Sequence, residues 1–506
     1  MSKKPSTHQQ ARQGKTARPT LRERFQGASR RQWIWCTTWL VLTLLFAVWA
    51  RSLWVLILIP FILDIYITKF LPWGFWKHSK SNAVRKTMEW VDAIIFALIA
   101  VYFINTFFFQ NYQIPTSSLE KSLLVGDFLA VSKLSYGPRS PITPLSFPLA
   151  QHTMPVVGGK SYFEKPQWKY RRLKGFGEVK RNDIVVFNFP TGDTVALNRQ
   201  AEDFYSLAKQ HPEGSAGIRA DKRSYGEVVY RPVDRRENYV KRCIGLPGET
   251  LEMRNDTVYI DGQHLPNPRL AQHNYMIHTD GTQLSTELFT ELGINKADYT
   301  LESYGQSISR SQDLTGVDSL SMALFGLFAR DGNNGRLYFS IPMTQEMVEK
   351  VKAKPFVWNV IKEKEQPSTG YYYPLDHNGG WTRDTYGPIW IPKKGATLTF
   401  DGDVDFKVAA YERCIKNYEG NDFAYRDGVV YINGEAADSY TFKFDYYFMM
   451  GDNRHNSADS RVWGFVPEDH IVGQPRLIWL SLEKDRGWFK GRIRWKRLFR
   501  NANIPA

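Results

Sequence analysis

The feature that most constrains this chain is a long apolar segment close to its N-terminus. Trp33–Ala50 contains eighteen residues without a charge, enough for a helix that crosses a bilayer. Residues 1–31, ahead of it, are polar and basic without hydrophobic periodicity, so we expect a disordered tail there. That tail is too long for a cleavable signal peptide, and another apolar run follows almost at once. The segment is therefore predicted to be a permanent membrane anchor.

Two further apolar runs extend the predicted transmembrane region over 32–109. Residues 53–68 contain Pro60 and Asp64 and follow a two-residue connection, which is short for a helical hairpin, so one bent or interfacial helix is the alternative. Residues 90–109 form the third segment. The positive-inside rule keeps the basic cluster that precedes this third segment in the cytoplasm, together with the N-terminal tail. Everything after residue 110 is then predicted to be extracytoplasmic.

The net charge of +15 does not indicate a nucleic-acid-binding domain. Residues 1–31 carry nine Lys or Arg and one Glu, and 484–500 carry eight Lys or Arg and one Asp, so the two ends account for the whole excess. The tail at 484–506 alternates basic and aromatic side chains, which suits a membrane surface. We therefore expect a lipid bilayer, and no nucleic acid, as the partner of the charged ends.

From residue 127 onward the sequence changes to short β-branched runs bounded by turn residues. Five such runs predict strands: 127–133, 183–189, 239–245, 249–253 and 476–482. Val258–Gly262 and Val430–Gly434 end in Asp-Gly and Asn-Gly, which are signals of type I′ hairpins. The sequence predicts a mainly β domain at 110–483.

A long insert, about 264–425, separates these two hairpin phrases. Residues 285–292 and 344–354 within it have helical character, and the remainder is rich in Tyr, Gly and Pro. We therefore expect a large mixed α/β insert in the β domain. The cysteines Cys36, Cys243 and Cys414 are too few for a disulfide framework, and pairing of the last two stays open.

A cluster of hydroxyl side chains, in Gln113–Leu119 (QIPTSSL), follows the last apolar segment. A serine is a poor nucleophile until an adjacent base takes its proton. The candidate bases are Lys241 and His455. A lysine would need its pKa lowered by roughly 3 units, which burial in apolar surroundings can supply. An exposed lysine paired with a carboxylate is the alternative interpretation.

A dense polar phrase lies near the end of the domain. Phe448–Arg461 (FMMGDNRHNSADSR) packs glycine, amides, carboxylates, arginines and hydroxyls between apolar stretches. Such density is typical of a buried network whose members satisfy each other's hydrogen bonds, with a solvated loop as the alternative.

Together these phrases resemble the bacterial type I signal peptidases, which are membrane-bound serine proteases with a Ser-Lys dyad. The similarity rests on four stretches in the family's order: Ile114–Asp127, Arg181–Pro190, Tyr239–Glu249 and Gly451–Pro467. The resemblance implies an all-β catalytic domain after N-terminal transmembrane helices. It also implies multi-pass insertion in the plasma (inner) membrane with the catalytic domain on the periplasmic side.

The resemblance assigns site residues by position. Ser118 corresponds to the nucleophile and Lys241 to the general base, while the hydroxyl of Thr116 and the backbone N–H of Ser118 correspond to the oxyanion hole. Ser457 corresponds to the hydroxyl that hydrogen-bonds the lysine. Supporting charges fall at Asp452, Asp459 and Arg461. Shallow pockets for small side chains are implied at Ile114, Pro115, Leu119, Leu123, Tyr239 and Val240.

Four residues depart from the family pattern. Ser117 replaces a glycine, Leu119 a methionine and Lys121 a common proline, and His455 stands where aspartate is frequent. The implied function is the removal of signal peptides from exported pre-proteins, without a metal or other cofactor and with the export machinery as a further partner. Two alternatives stay open: a catalytically inactive binding module of the same fold, and a Ser-His protease that uses His455.

Overall fold

The computed structural model describes residues 20–156, 158–200, 202–303, 306–367, 371–375, 379–483, 486–489 and 491–503. The chain divides into two compact units, of which the first ends at Ala100 and the second begins at Val101. The predicted tail lies outside the described residues up to 19. From Thr20 the expectation of disorder is wrong, because Thr20 and Glu23 cap a short helix.

Helices dominate the first unit and are short in the second. They are α1 (Leu21–Gly27), α2 (Arg30–Ala50), α3 (Leu58–Leu63), α4 (Asn82–Phe107), α5 (Phe204–Gln210), α6 (Gly214–Ala220), α7 (Lys222–Tyr225), α8 (Thr286–Glu291), α9 (Lys296–Tyr299), α10 (Ser319–Leu324), α11 (Gln345–Lys352), α12 (Val404–Arg413) and α13 (Ser460–Trp463). The two helical segments predicted in the insert correspond to α8 and α11.

Among the described residues, α2 and α4 are the two helices long and apolar enough to cross a membrane. The run at Leu53–Thr68 is shorter and irregular: a 3₁₀ turn leads into α3, and a π turn follows it. Its carboxylate, Asp64, is buried and accepts hydrogen bonds from the Phe70 and Leu71 backbone N–H groups and the Trp73 indole. Asp64 thus helps to end the run rather than interrupting a longer helix.

Strands make up most of the second unit. They are β1 (Phe109–Gln113), β2 (Asp127–Ser132), β3 (Ile184–Asn188), β4 (Thr194–Ala196), β5 (Val228–Tyr230), β6 (Asn238–Gly245), β7 (Thr250–Arg254), β8 (Thr257–Ile260), β9 (Gln263–Leu265), β10 (His273–Thr279), β11 (Thr300–Ser303), β12 (Gln306–Ser309), β13 (Ser311–Asp313), β14 (Arg336–Met343), β15 (Val357–Lys362), β16 (Tyr386–Trp390), β17 (Thr397–Thr399), β18 (Phe423–Arg426), β19 (Val429–Ile432), β20 (Glu435–Ala436), β21 (Ser439–Thr441), β22 (Tyr446–Met450), β23 (Val466–Pro467), β24 (Ile471–Ser481) and β25 (Arg500–Asn501).

The largest sheet has the order β1-β2-β24-β3-β6-β22-β23, with β25 added beside β24. Its pairs are antiparallel, and all five predicted strands are present, four of them in this sheet and the fifth as β7. In the register of β6, Lys241 lies opposite Val185 and Arg242 opposite Met450. The mainly β fold predicted from the sequence is confirmed.

Both predicted hairpin turns are confirmed. Ile260 pairs with Gln263 and Ile432 with Glu435, which leaves two-residue loops. The loop residues Asp261 and Asn433, like the glycines that follow them, have positive φ angles, as a type I′ turn requires. The two hairpins belong to different sheets, so each is a local structure.

The insert divides into two parts. The sheet β13-β14-β10-β15 has its own apolar core with α8 and α11. The later part, from Tyr372 onward, instead packs with β7, β8 and β22 in the largest core of the unit. All three cysteines are buried free thiols.

Candidate active site

The loop between β1 and β2 carries the predicted nucleophile. Two backbone hydrogen bonds close the loop at its base, from Ile114 N–H to Asp127 and from Gly126 N–H to Ile114, at 2.9 and 3.0 Å. Leu119 and Leu123 anchor it in the core, with exposures of 1% and 0%. Ser118 is buried immediately before the first of these two anchors. The sequence thus holds this hydroxyl in one place through the apolar residues that follow it.

Lys241 projects from β6 to the same point. Its Nζ donates a hydrogen bond to Ser118 Oγ at 2.8 Å, across 123 positions of sequence. The lysine is 3% exposed, and its Nζ lies 5.6 Å from the centre of the Tyr239 ring. Burial lowers the pKa of Lys241 to about 8, against the opposing effect of Asp459 and Asp452. A lysine with this pKa can exist as the neutral amine close to physiological pH.

Two buried ion pairs surround the lysine. Asp459 accepts two hydrogen bonds from the Arg461 guanidinium, at 2.9 and 2.7 Å, and one each from the Arg461 and Gly451 backbone N–H groups. Asp452 accepts from Arg242 at 2.8 and 2.7 Å. All four charged side chains are at most 1% exposed. The polar phrase at 448–461 is therefore a buried network rather than a solvated loop.

Arg242 and Ser122 belong to this network, although sequence reasoning did not select them. The Ser122 hydroxyl donates to Asp452 at 2.6 Å, so one carboxylate joins the nucleophile loop to the strand that carries the lysine. Arg242 adds a bond from its guanidinium to the Asn182 carbonyl. The sequence offered one signal for Arg242: together with Lys241 it places two consecutive cations in a strand that continues with apolar residues.

One predicted hydroxyl contact, that of Ser457, differs from expectation. Ser457 was expected to hydrogen-bond Lys241, but its Oγ donates to the neighbouring Ala458 carbonyl at 3.5 Å. Among the described residues, Lys241 Nζ has a hydrogen bond to Ser118 alone. Thr116 is exposed, and within the described chain neither its hydroxyl nor the Ser118 N–H is engaged in a hydrogen bond. Both predicted oxyanion donors are thus available to a ligand.

Only some of the residues predicted to line the substrate pocket are exposed. Ile114, Leu119 and Leu123 belong to the core cluster that supports the nucleophile loop, with exposures of 3% or less. Leu119 and Leu123 therefore cannot offer their side chains to a substrate in this conformation, since core packing encloses them. Pro115 is exposed, and Tyr239 and Val240 are partly exposed beside Lys241.

His455 lies in a separate buried cluster. Its Nδ1 accepts a hydrogen bond from the Asn274 N–H at 3.1 Å, and its Nε2 is 2.8 Å from Asp384 Oδ1. The Asn274 contact leaves the ring proton on Nε2, which donates to Asp384. Asp256 Oδ1 lies 3.7 Å from the same nitrogen, so Asp256, Asp384 and His455 form the described group that could hold a metal ion. A protonated Nε2 is a donor rather than a ligand, so the group fits a hydrogen-bonded cluster better than a metal site.

The insert contacts the nucleophile loop directly. Lys121, where proline is common in the resembling family, has a φ of 71°, which proline cannot adopt. Its ammonium donates to the Gly293 carbonyl, and Asn295 donates to Glu120 at 3.2 Å. The insert also pairs with the last polar phrase, where Gln272 and Asn453 form a parallel bridge.

This β fold, preceded by apolar helices and carrying a serine in contact with a buried lysine, defines a class of serine hydrolases. The family model described as signal peptidase, peptidase S26, matches residues 87–313 and 439–480. The chain therefore belongs to the signal peptidase family and is a serine endopeptidase.

Relatives support the same family at low identity. Signal peptidase I of Buchnera aphidicola subsp. Acyrthosiphon pisum (strain APS) is 24% identical over 79% of this chain and 77% of its own length. Signal peptidase I of Haemophilus influenzae is 23% identical over 83% of this chain and 77% of its own length. Signal peptidase I P of Bacillus subtilis subsp. natto is 22% identical over 48% of this chain and 91% of its own length.

Proposed function

We propose that this protein is a membrane-anchored signal peptidase that uses Ser118 as nucleophile and Lys241 as general base. The observation that carries the proposal is the 2.8 Å contact between Ser118 Oγ and Lys241 Nζ, both of which are buried. Burial that lowers the pKa of Lys241 to about 8 supports the base assignment, because only the neutral amine can accept a proton.

Acylation begins with proton transfer from Ser118 Oγ to the neutral Lys241 Nζ. The oxygen attacks the carbonyl carbon of the scissile bond, and the negative charge develops on the carbonyl oxygen. The Ser118 N–H and the Thr116 hydroxyl are the proposed donors to that oxyanion. The protonated lysine then passes its proton to the leaving amine, which leaves the signal peptide as an ester on Ser118.

Deacylation repeats the chemistry with water. Neutral Lys241 takes a proton from a water molecule, which attacks the ester carbon through a second oxyanion. The bond to Ser118 Oγ breaks, and Lys241 returns the proton to that oxygen. Asp459–Arg461 and Asp452–Arg242 have a positioning role, because they hold the elements around Lys241 and do not contact its Nζ.

The proposed substrates are the signal peptides of exported pre-proteins, because the similar proteins are named signal peptidases. Pro115, Tyr239 and Val240 would line the shallow binding surface, while Ile114, Leu119 and Leu123 shape it from behind. Ser118 lies only eleven positions after the end of α4. This spacing suits a substrate that is cleaved just outside the bilayer, on the periplasmic side in the proposed multi-pass topology.

The two alternatives receive less support. An inactive module would have no need for the contact between Ser118 and a buried lysine. A Ser-His protease would need His455 at Ser118, whereas both ring nitrogens of His455 are engaged by Asn274 and Asp384.

The test of the nucleophile compares two neighbouring serines. Ser118→Ala is expected to reduce the rate of pre-protein cleavage by on the order of 10⁴-fold or more, because no acyl intermediate can form. Ser117→Ala is the matched control and should keep cleavage within about tenfold of the wild type, since Ser117 contributes its carbonyl to the Asn453 amide. Normal cleavage by Ser118→Ala would contradict the proposal.

A further inference from the structure

A cavity of about 570 Å³ opens in the second unit, beside the C-terminal end of α4. Its walls come from the last turns of α4, the end of β2, the segment at 139–151 and the residues before β6. The proposed mechanism uses none of its side chains. Its lining is rich in cationic side chains and lies next to the end of an apolar helix.

Three cations and one carboxylate line the cavity: Lys133, Arg139, Arg235 and Asp234. The Asp234 carboxylate already accepts hydrogen bonds from the Ile142 and Thr143 N–H groups, at 3.0 and 2.8 Å. Its nearest guanidinium nitrogen, on Arg235, is 3.9 Å away. The cavity therefore has an excess of positive charge that its own carboxylate does not neutralise.

Lys133 is the free cation of this group. Within the described residues its Nζ has neither a hydrogen bond nor an ion pair, whereas Arg139 donates to Asn188 at 2.7 Å and Arg235 donates to Ser146 at 2.8 Å. Burial and the nearby Arg139 lower the pKa of Lys133 to about 7. An anion in the cavity would favour the charged form and give the ammonium a partner.

The position of Lys133 connects the cavity to the end of the apolar helix. The Lys133 N–H donates to the Phe108 carbonyl at 2.8 Å, one residue after α4 ends. Tyr102 of α4 lines the cavity and donates to the Pro144 carbonyl at 3.0 Å. Phe147 and Leu149 are lining residues with exposures of 46% and 77%, an apolar surface next to the charged one.

We propose that this cavity binds the phosphate headgroup of an anionic phospholipid of the outer leaflet, with Lys133 as its main contact. The inference rests on the membrane anchoring in the proposed function, but not on the chemistry of Ser118. Lipid phosphate groups lie near the ends of transmembrane helices, and the last turns of α4 line this cavity. The exposed Phe147 and Leu149 are placed to contact the acyl chains, which a free phosphate ion would not need.

The test measures lipid binding by native mass spectrometry of the full chain in detergent, in the Ser118→Ala background. Because that background removes the proposed nucleophile, the result is independent of whether the protease proposal succeeds. The probes are dioctanoyl phosphatidylglycerol, dioctanoyl phosphatidylcholine and inorganic phosphate. Lys133→Met removes the charge, Lys133→Arg keeps it, and Lys169→Met removes an exposed lysine of the same unit as a control.

We expect phosphatidylglycerol to bind with one site per chain and more tightly than phosphatidylcholine. Lys133→Met should weaken that binding by about tenfold, while Lys133→Arg and Lys169→Met should keep it. Equal binding of the two lipids, or an unchanged affinity in Lys133→Met, would overturn the proposal. Competition by inorganic phosphate at the concentration at which the lipid binds would overturn the lipid as the source of the phosphate.

Discussion

At the scale of single residues, the site depends on how a lysine loses its charge. Lys241 is buried beside Tyr239 and close to two arginines and two aspartates, each arginine paired with one aspartate. Within each pair the arginine offsets the charge of its aspartate. Desolvation is therefore the largest influence on the pKa of Lys241, and it lowers that pKa to about 8.

The pH dependence of cleavage follows from this shift. The base form of Lys241 is the minor species below its pKa and the major species above it. We therefore expect kcat/KM for a pre-protein or signal-peptide substrate to rise with pH and to level off, with an apparent pKa of about 8. A limb centred near 10.5, the ordinary lysine value, would show that burial does not lower the pKa in the working enzyme.

The ion pair that Arg242 forms with Asp452 gives a second prediction. Arg242→Met should lower the free energy of unfolding by about 3–5 kcal/mol, because Asp452 stays buried without its charged partner. Thermal unfolding in detergent is the measurement. The double variant with Asp452→Leu should recover part of the loss, since it removes the unpaired charge as well. A single variant as stable as the wild type would contradict the account.

At the scale of elements, three segments meet at the dyad: the nucleophile loop, β6 and the phrase after β22. Asn453 N–H donates to the Ser118 carbonyl at 3.1 Å, and Arg454 N–H donates to the Gln272 carbonyl at 2.8 Å. The last phrase is thus hydrogen-bonded to the serine on one side and to the insert on the other. The insert supports the active site even though the family match leaves out residues 314–438.

Gly451 shows how closely these elements approach. A Cβ at this position would lie 2.6 Å from the Ser118 carbonyl oxygen and 2.3 Å from Ser457 Oγ. Gly451→Ala should therefore displace the nucleophile loop and lower kcat by about 10²-fold, as expected when reacting groups shift by an ångström. Gly177→Ala, an exposed glycine with one distant neighbour at 3.8 Å, is the control. Equal kcat values for the two variants would show that the close approach has no consequence.

The sequence predicts local structure better than contacts between distant segments. The turns at Asp261 and Asn433 follow from adjacent residues. The burial of Leu119 and Leu123 was not predicted, because the resemblance implied that both line a substrate pocket. The contacts of Arg242 with Asp452 and of His455 with Asp384 join positions 210 and 71 residues apart, and no local pattern specifies them. The contact between Ser118 and Lys241 was predicted because the resemblance supplied the pairing, while the expected bond from Ser457 to Lys241 is replaced by one to Ala458.

At the scale of the whole molecule, topology is the property to test. The proposed arrangement leaves the N-terminal tail in the cytoplasm and the second unit outside it. The three natural cysteines are buried, so an impermeant maleimide should not label the native chain. In intact cells, Ser319→Cys in the exposed part of the insert should react, while Ser6→Cys should react only after lysis. The reverse pattern would contradict the topology.

The central claim is that Lys241, and not His455, activates Ser118. The most direct test measures kcat/KM for one pre-protein with Lys241→Ala and with His455→Ala, using unfolding temperature to confirm that both variants are folded. We predict a loss of about 10³-fold or more for Lys241→Ala and a far smaller loss for His455→Ala, whose ring only supports the loop through Asn274 and Asp384. Retained activity in Lys241→Ala, with loss confined to His455→Ala, would contradict it.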